Sequence, residues 1–153
     1  MLSICPVNRG GWTRVARTGI VAPMTHRFPI RVYYEDTDLA GIVYYANYLK
    51  FIERGRTEWV RALGIDQSRL KREEDVVFAV RRVVAEYHLP ARFDDELTVE
   101  TALKGLTGAR VVLEQRVTRG DALLFEAEVT LVALTGAGRP ARMPAELRRA
   151  LRA

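Results

Sequence analysis

The side chains that carry most nucleophilic and metal chemistry are scarce in this chain: Ser3, Ser68, His26, His88 and Cys5 are the whole supply of serine, histidine and cysteine in 153 residues. Each scarcity excludes something. Without a G-x-S-x-G segment, and with serine only at positions 3 and 68, a serine-hydrolase triad is ruled out. Cys5 alone forms neither an intrachain disulfide nor a multi-cysteine metal site, and it suits a reducing compartment, the cytoplasm. No apolar run approaches the roughly 18 residues of a membrane-spanning helix, so integral membrane association is not expected. No glycine-rich loop suggests a nucleotide fold.

Acid is also missing, but only locally. Residues 1 to 30 hold Arg9, Arg14, Arg17 and Arg27 and no Asp or Glu, so most of the net charge of +5 sits there. The remainder is almost neutral, with basic residues in scattered pairs such as Arg81-Arg82 and Arg148-Arg149, and it lacks the concentrated basic face of a nucleic-acid binder. Residues 1–26 read as a disordered or processed leader, or as a mis-assigned start with translation beginning at Met24. With 48% hydrophobic and 28% charged residues, the rest is one folded domain of ordinary size, spanning 27–136, followed by a tail or short basic helix over 137–153.

What is present is patterned. Phe28, Ile30, Val32 and Tyr34 alternate with polar or exposed positions as in a half-buried strand, with Pro29 near its start. After Gly41 the period lengthens: Tyr45, Tyr48, Leu49, Ile52, Trp59 and Leu63 share one helical face, Lys50, Arg54, Glu58 and Arg61 the other, and Arg54 with Glu58 is spaced as an i,i+4 pair. A helix from about Tyr45 to Leu63, ended by Gly64 as a left-handed cap, is on the order of 28 Å long. Val76 to Leu89, Glu96 to Lys104, Ala109 to Thr118 and Ala122 to Thr135 read as strands, with a hairpin turn at Arg119-Gly120-Asp121. In the last strand Leu123, Phe125, Ala127, Val129 and Leu131 face a core, while Glu126, Glu128 and Thr130 face away. The fold class is α+β, an antiparallel sheet of about five strands whose apolar face is covered by the one long helix.

The segment EDTDLAG crowds Glu35, Asp36 and Asp38 against the start of that helix. An Asx-turn at a solvated corner accounts for such acids in most loops. A calcium loop starting at Asp36 places Ala40 at its fifth position and Asn47 at its twelfth, where a bidentate Glu belongs, so no metal is expected. A phosphatase-like Asp-x-Asp belongs to an alternating βα chain, which this is not. A fourth reading uses the helix start: unpaired N–H groups around Tyr44 to Asn47 can hold the oxygen of a polarised carbonyl while Asp38, ionised at neutral pH, approaches the same carbonyl. Glu53 could be a second carboxylate, although Arg54, Arg56 and Thr57 favour a local pairing, and His88 reads as structural or surface.

The stretch RVYYEDTDLAGIVYYANYLKFIERGRTEWVRALG, with VRRVVAEYHLPARFDD further on, resembles the YbgC-type and 4-hydroxybenzoyl-CoA thioesterases of the hotdog-fold superfamily. The likeness runs from about Phe28 to Leu134. It implies a long helix wrapped by a curved antiparallel sheet, dimers that pair into tetramers, and active sites at the dimer interface. It implies hydrolysis of an acyl-CoA thioester, Asp38 as nucleophile or general base, and the Tyr45 amide as the donor that polarises the carbonyl. Where the YbgC branch carries His, this chain has Tyr45, as in the 4-hydroxybenzoyl-CoA branch. Gly41, Val43 and Tyr44 would line the substrate, and Arg81, Arg82, Lys104 and Arg110 are candidates for the coenzyme's phosphates. No cofactor is implied. A catalytically silent acyl-binding scaffold and a hotdog dehydratase are the alternatives, the latter wanting a His-acid pair.

Overall fold

A computed structural model describes residues 25–152. Within them the order is β1 (His26–Arg31), a 3-10 turn (Tyr34–Asp36), α1 (Asn47–Ala62), α2 (Gln67–Glu74), β2 (Val76–Tyr87), β3 (Glu96–Leu106), β4 (Arg110–Arg119), β5 (Ala122–Thr135) and α3 (Ala145–Ala150). All but two residues of the proposed leader lie outside the described residues, and the first strand begins at His26, two residues earlier than the alternation suggests. No helix among the described residues is long and apolar enough to cross a membrane.

The five strands form one curved antiparallel sheet in the order β1-β3-β4-β5-β2. Pro29 is tolerated because β1 is an edge strand and one side of it has no ladder to donate to. The other edge is β2, twelve residues long and rich in valine. A bulge between Val80 and Arg82 leaves Arg81 without a cross-strand partner in the β5 register, so the simple alternation expected for Arg81 and Arg82 is broken there.

Helix α1 lies on the sheet with Tyr48, Phe51, Ile52, Gly55 and Trp59 buried, a stripe at i, i+3, i+4, i+7 and i+11. Gly55 marks the closest approach: a Cβ built there would lie 2.5 Å from Val99 Cγ1 of β3. One turn earlier, Gln115 of β4, fully buried, donates from Nε2 to the Ile52 carbonyl (2.8 Å) and to Thr101 Oγ1 (2.9 Å). Glycine at one point and an amide at the next therefore fix how close the helix lies and where along its axis it sits.

Four expectations change. The helix starts at Asn47 rather than Tyr45, so Tyr45 precedes the buried stripe and is 62% exposed; Leu49, at the stripe's edge, is 40% exposed. Glu58 pairs with Arg61 one turn onward instead of with Arg54, because its carboxylate points toward the helix C-terminus. Thr130 of β5 is buried, not solvent-facing, and Leu124 is fully buried in place of Leu123, where the register with β4 shifts; Phe125, Ala127 and Val129 face the core as the alternation requires. Residues 67–74, unassigned from the pattern, form α2, capped by Asp66, whose Oδ1 accepts from the N–H groups of Ser68 and Arg69.

Helix α1 ends as expected at Gly64, with φ at +77° and the Ile65 N–H returned to the Val60 carbonyl. The C-terminal segment packs: Met143, Pro144 and Leu147 are buried, and Arg69 of α2 donates to both Glu146 oxygens at 2.5 and 2.6 Å.

Gly55→Ala tests the helix seat. The added methyl overlaps Val99, and overpacking of this kind costs about 1–3 kcal/mol against a helix-propensity gain of about 1 kcal/mol. Urea unfolding should show a lower midpoint for the variant; an equal or higher midpoint would mean that the helix is not held at this distance.

Candidate active site

The acids divide by role once their partners are known. Asp36 is 4% exposed and structural: its Oδ2 accepts from the Tyr33 N–H at 2.8 Å, closing the 3-10 turn. Its main-chain carbonyl receives two donors, the Tyr44 N–H (2.8 Å) and the side-chain amide of buried Asn47 (3.0 Å). The chain before the loop is thereby tied to the chain after it and to the first residue of α1.

Between those ties the backbone makes a small hairpin. Thr37 bridges Val43, the Asp38 N–H donates to the Ile42 carbonyl (3.0 Å), and the Gly41 N–H returns to the Asp38 carbonyl (2.9 Å). Gly41 has φ of +73°, a left-handed conformation that a side chain would strain. Asp38 sits at the tip, exposed, with Oδ1 accepting from the Ala40 N–H at 2.9 Å. The Asx-turn reading is thus correct as far as that oxygen goes. Oδ2 accepts no hydrogen bond among the described residues.

The donors at the helix start sort in the same way. Tyr44 N–H is spent on Asp36 and Asn47 N–H on the Tyr44 carbonyl (2.8 Å), which narrows the set expected around Tyr44 to Asn47. Tyr45 and Ala46 N–H have no acceptor among the described residues. Ala46 is the residue before the helix and offers no side-chain cap, so the helix start is left open to an outside acceptor.

Aromatic side chains hold this opening. The Tyr87 hydroxyl, from β2, donates to the Tyr45 carbonyl at 3.1 Å, and the Tyr87 ring packs on Phe125 (5.0 Å) and Tyr48 (5.7 Å). The Tyr48 hydroxyl accepts from the Ala91 N–H at 2.9 Å, and burial pushes its acidity down, raising its pKa. Tyr44 and Tyr45 rings lie 4.8 Å apart; hydrogen bonding with Tyr45 raises the Tyr44 pKa, and the Asp38 charge adds to that rise. The positioning roles of Tyr87, Asn47 and Asp36 were not legible in the sequence, because each depends on a partner 11 to 42 residues away.

The remaining candidates are dispersed. Val43 is in the core, with its N–H on the Ala91 carbonyl (2.8 Å), while Gly41 and Tyr44 are exposed beside Asp38. Arg82 and Lys104 share one carboxylate, Glu128, at 3.3 and 2.6 Å, and that pairing raises the Lys104 pKa. Arg81 and Arg110 are exposed and make no ion pair among the described residues. His88 is at the surface with Glu126 (3.1 Å), and Glu53 accepts from the Thr57 hydroxyl at 2.8 Å.

Comparison with known proteins agrees with this architecture. The family model for the thioesterase-like superfamily matches residues 32–151. The acyl-CoA thioesterase YbgC of Haemophilus influenzae is 41% identical over 124 residues, covering 80% of this chain and 91% of that protein. The acyl-CoA thioester hydrolase YbgC of Escherichia coli is 46% identical over 107 residues, covering 69% and 79% respectively. Among solved structures, a probable thioesterase from Bartonella henselae superposes with a TM-score of 0.77 at 37% identity, over 79% of this chain and all of that one. With the family model spanning most of the folded body and the sheet and helix arranged as in these relatives, the chain belongs to the thioesterase-like superfamily of hotdog folds.

Proposed function

We propose that this protein hydrolyses acyl-CoA thioesters to the free acid and CoA, with Asp38 as the attacking or water-activating carboxylate and the Tyr45 main-chain N–H as the donor that polarises the carbonyl. One observation carries the reading. Around a loop whose Thr37, Asp38, Ala40, Gly41, Val43 and Tyr44 N–H groups are all consumed within the fold, a carboxylate oxygen and the adjoining helix-start amides are left without protein partners. Negative charge develops on a thioester oxygen as the carbonyl is attacked, and fixed N–H dipoles stabilise it without reorganisation. The relatives named acyl-CoA thioesterases support the substrate class.

The two roles for Asp38 need the same ionised group in nearly the same place. As nucleophile it forms a mixed anhydride and expels the CoA thiolate, and water then cleaves the anhydride to release the acid and restore the carboxylate; as base it takes a proton from a water that attacks the thioester instead. Gly41 and Tyr44 flank the reacting group, and Val43 seats the loop from below. Of the basic candidates, Arg81 and Arg110 offer charge not already neutralised, whereas Arg82 and Lys104 must exchange Glu128 for a phosphate. This reading places a cofactor-free enzyme in the cytoplasm, where CoA esters are made.

A second subunit fits at β2. Val80, Val83, Val84 and Tyr87 on this edge are exposed, and Tyr44, Tyr45 and Leu49 are exposed as well. An edge strand of this length and composition, unpaired, is a template for another chain. Homodimers joined there, themselves pairing into tetramers, would bury those residues and set the reacting loop at a subunit boundary.

Purified protein should release free thiol from members of a panel of short aliphatic and aromatic acyl-CoAs. Asp38→Asn should lower kcat/KM by about 10²–10⁴-fold with an unchanged circular dichroism spectrum, since the amide oxygen still accepts from Ala40. Release from no member of the panel would leave an acyl-binding module, and equal rates for wild type and Asp38→Asn would remove Asp38 from the chemistry. Tyr45→Phe should keep activity within a few-fold, because the donor is main-chain; a loss matching Asp38→Asn would move the role to the hydroxyl. In sedimentation the parent should run at an even multiple of the single-chain mass and Val84→Arg at lower mass, whereas a monomeric parent would remove the β2 interface.

A further inference from the structure

A cavity of about 200 Å³ lies beside α1, with apolar walls from Trp59, Phe78, Leu131, Leu147 and Leu151 and with Glu53 next to Arg56 on its polar side. Neither Asp38 nor Tyr45 lines it. Arg56, at its polar side, is nine residues into the helix from Asn47, about 14 Å along the axis. For scale, a cavity of about 150 Å³ with Leu, Ile and Phe walls holds a benzene ring.

Arg56 makes this void more than a packing defect. Its guanidinium carries five N–H donors, yet its hydrogen bond among the described residues is one long contact from Nη1 to Gln115 Oε1 at 3.3 Å. Gln115 is itself held in place, its Nε2 donating to Ile52 and Thr101. Arg56 makes no ion pair among the described residues. Burial pushes its pKa below the usual arginine value, and nearby Glu53 only partly opposes that. Glu53 is exposed and already accepts from Thr57, so water screens its charge more than it screens the half-buried cation. A half-buried cation at a largely apolar cavity, with Glu53 on the same wall but no ion pair formed to it among the described residues, has donors left for one carboxylate.

We infer that this cavity is a binding site for a small apolar carboxylic acid, its ring or about six-carbon chain among Trp59, Phe78, Leu147 and Leu151 and its carboxylate on the Arg56 guanidinium. Free acids of this kind are what thioester hydrolysis releases, so the site recognises the product class by the charge that the thioester lacks. That last link rests on the proposed hydrolysis; the binding site itself does not.

The indole N–H signal of Trp59 reports on the cavity in ¹⁵N-labelled full chain, assigned by its loss in Trp59→Phe. Hexanoate and benzoate should shift it saturably and bind about tenfold or more tighter than hexan-1-ol, the expected gain from a charge-assisted hydrogen bond. Arg56→Met should reduce hexanoate to the affinity of hexan-1-ol, and Leu151→Trp, which fills the cavity from the C-terminal helix, should abolish binding of both. No movement of the Trp59 signal, equal affinity for acid and alcohol in the parent, or undiminished hexanoate binding in Arg56→Met overturns the inference. If Arg56→Met does not fold, the comparison of acid with alcohol in the parent decides. Asp38→Asn should bind hexanoate as the parent does: acid binding without acyl-CoA hydrolysis would sink the proposed function alone, and hydrolysis without acid binding would sink this site alone.

Discussion

The carbonyl of Asp36 is the point on which the candidate site depends. By accepting both the Tyr44 N–H and the Asn47 side chain, it fastens the acidic loop to the start of α1 with two hydrogen bonds in a buried setting. That fastening consumes the Tyr44 donor and leaves the next two amides without protein acceptors. It also closes the base of the hairpin whose tip carries Asp38. The motif's two aspartates are therefore not duplicates: the first organises backbone, the second presents an oxygen.

The same economy of position runs through the helix. Gly55 against Val99 and Gln115 on Ile52 fix α1 on the sheet, so the amides at its start stay registered to a loop that emerges from β1. Tyr87 adds a constraint from the edge strand by holding the Tyr45 carbonyl. Because β2 is also the exposed valine-rich edge, a partner subunit pairing there would act on the site directly through Tyr87. Gln115 serves two successive turns of the helix, since the amide that seats α1 through Ile52 also accepts from Arg56 at the cavity wall.

Much of this was legible from residue order. β5 matches the segment read from alternation, Ala122–Thr135, and β2 and β3 begin where expected at Val76 and Glu96, because period-2 patterning of β-branched and aromatic residues is a local signal. Gly64 was identifiable as a helix stop for the same reason. The helix start was not: Tyr45 looks like part of an apolar stripe, and only the tie between Asn47 and Asp36 shows that the helix begins after it. α2 was missed because it buries a single side chain, Leu70, and its charged sequence gives a weak periodic signal. The motif singled out Asp38, but the division of labour among the acids depends on which oxygen each donor reaches, and that is set by tertiary structure.

The central claim is geometric: residue 38 and the Tyr45 amide meet at one thioester carbonyl. A crystal structure of Asp38→Asn bound to an acyl-CoA analogue in which a ketone replaces the thioester tests it directly. The account predicts the ketone oxygen about 2.7–3.1 Å from the Tyr45 nitrogen, with the residue 38 side chain beside the carbonyl carbon. A ketone bound with its oxygen away from that amide, or with residue 38 on the far side of the subunit, would contradict it.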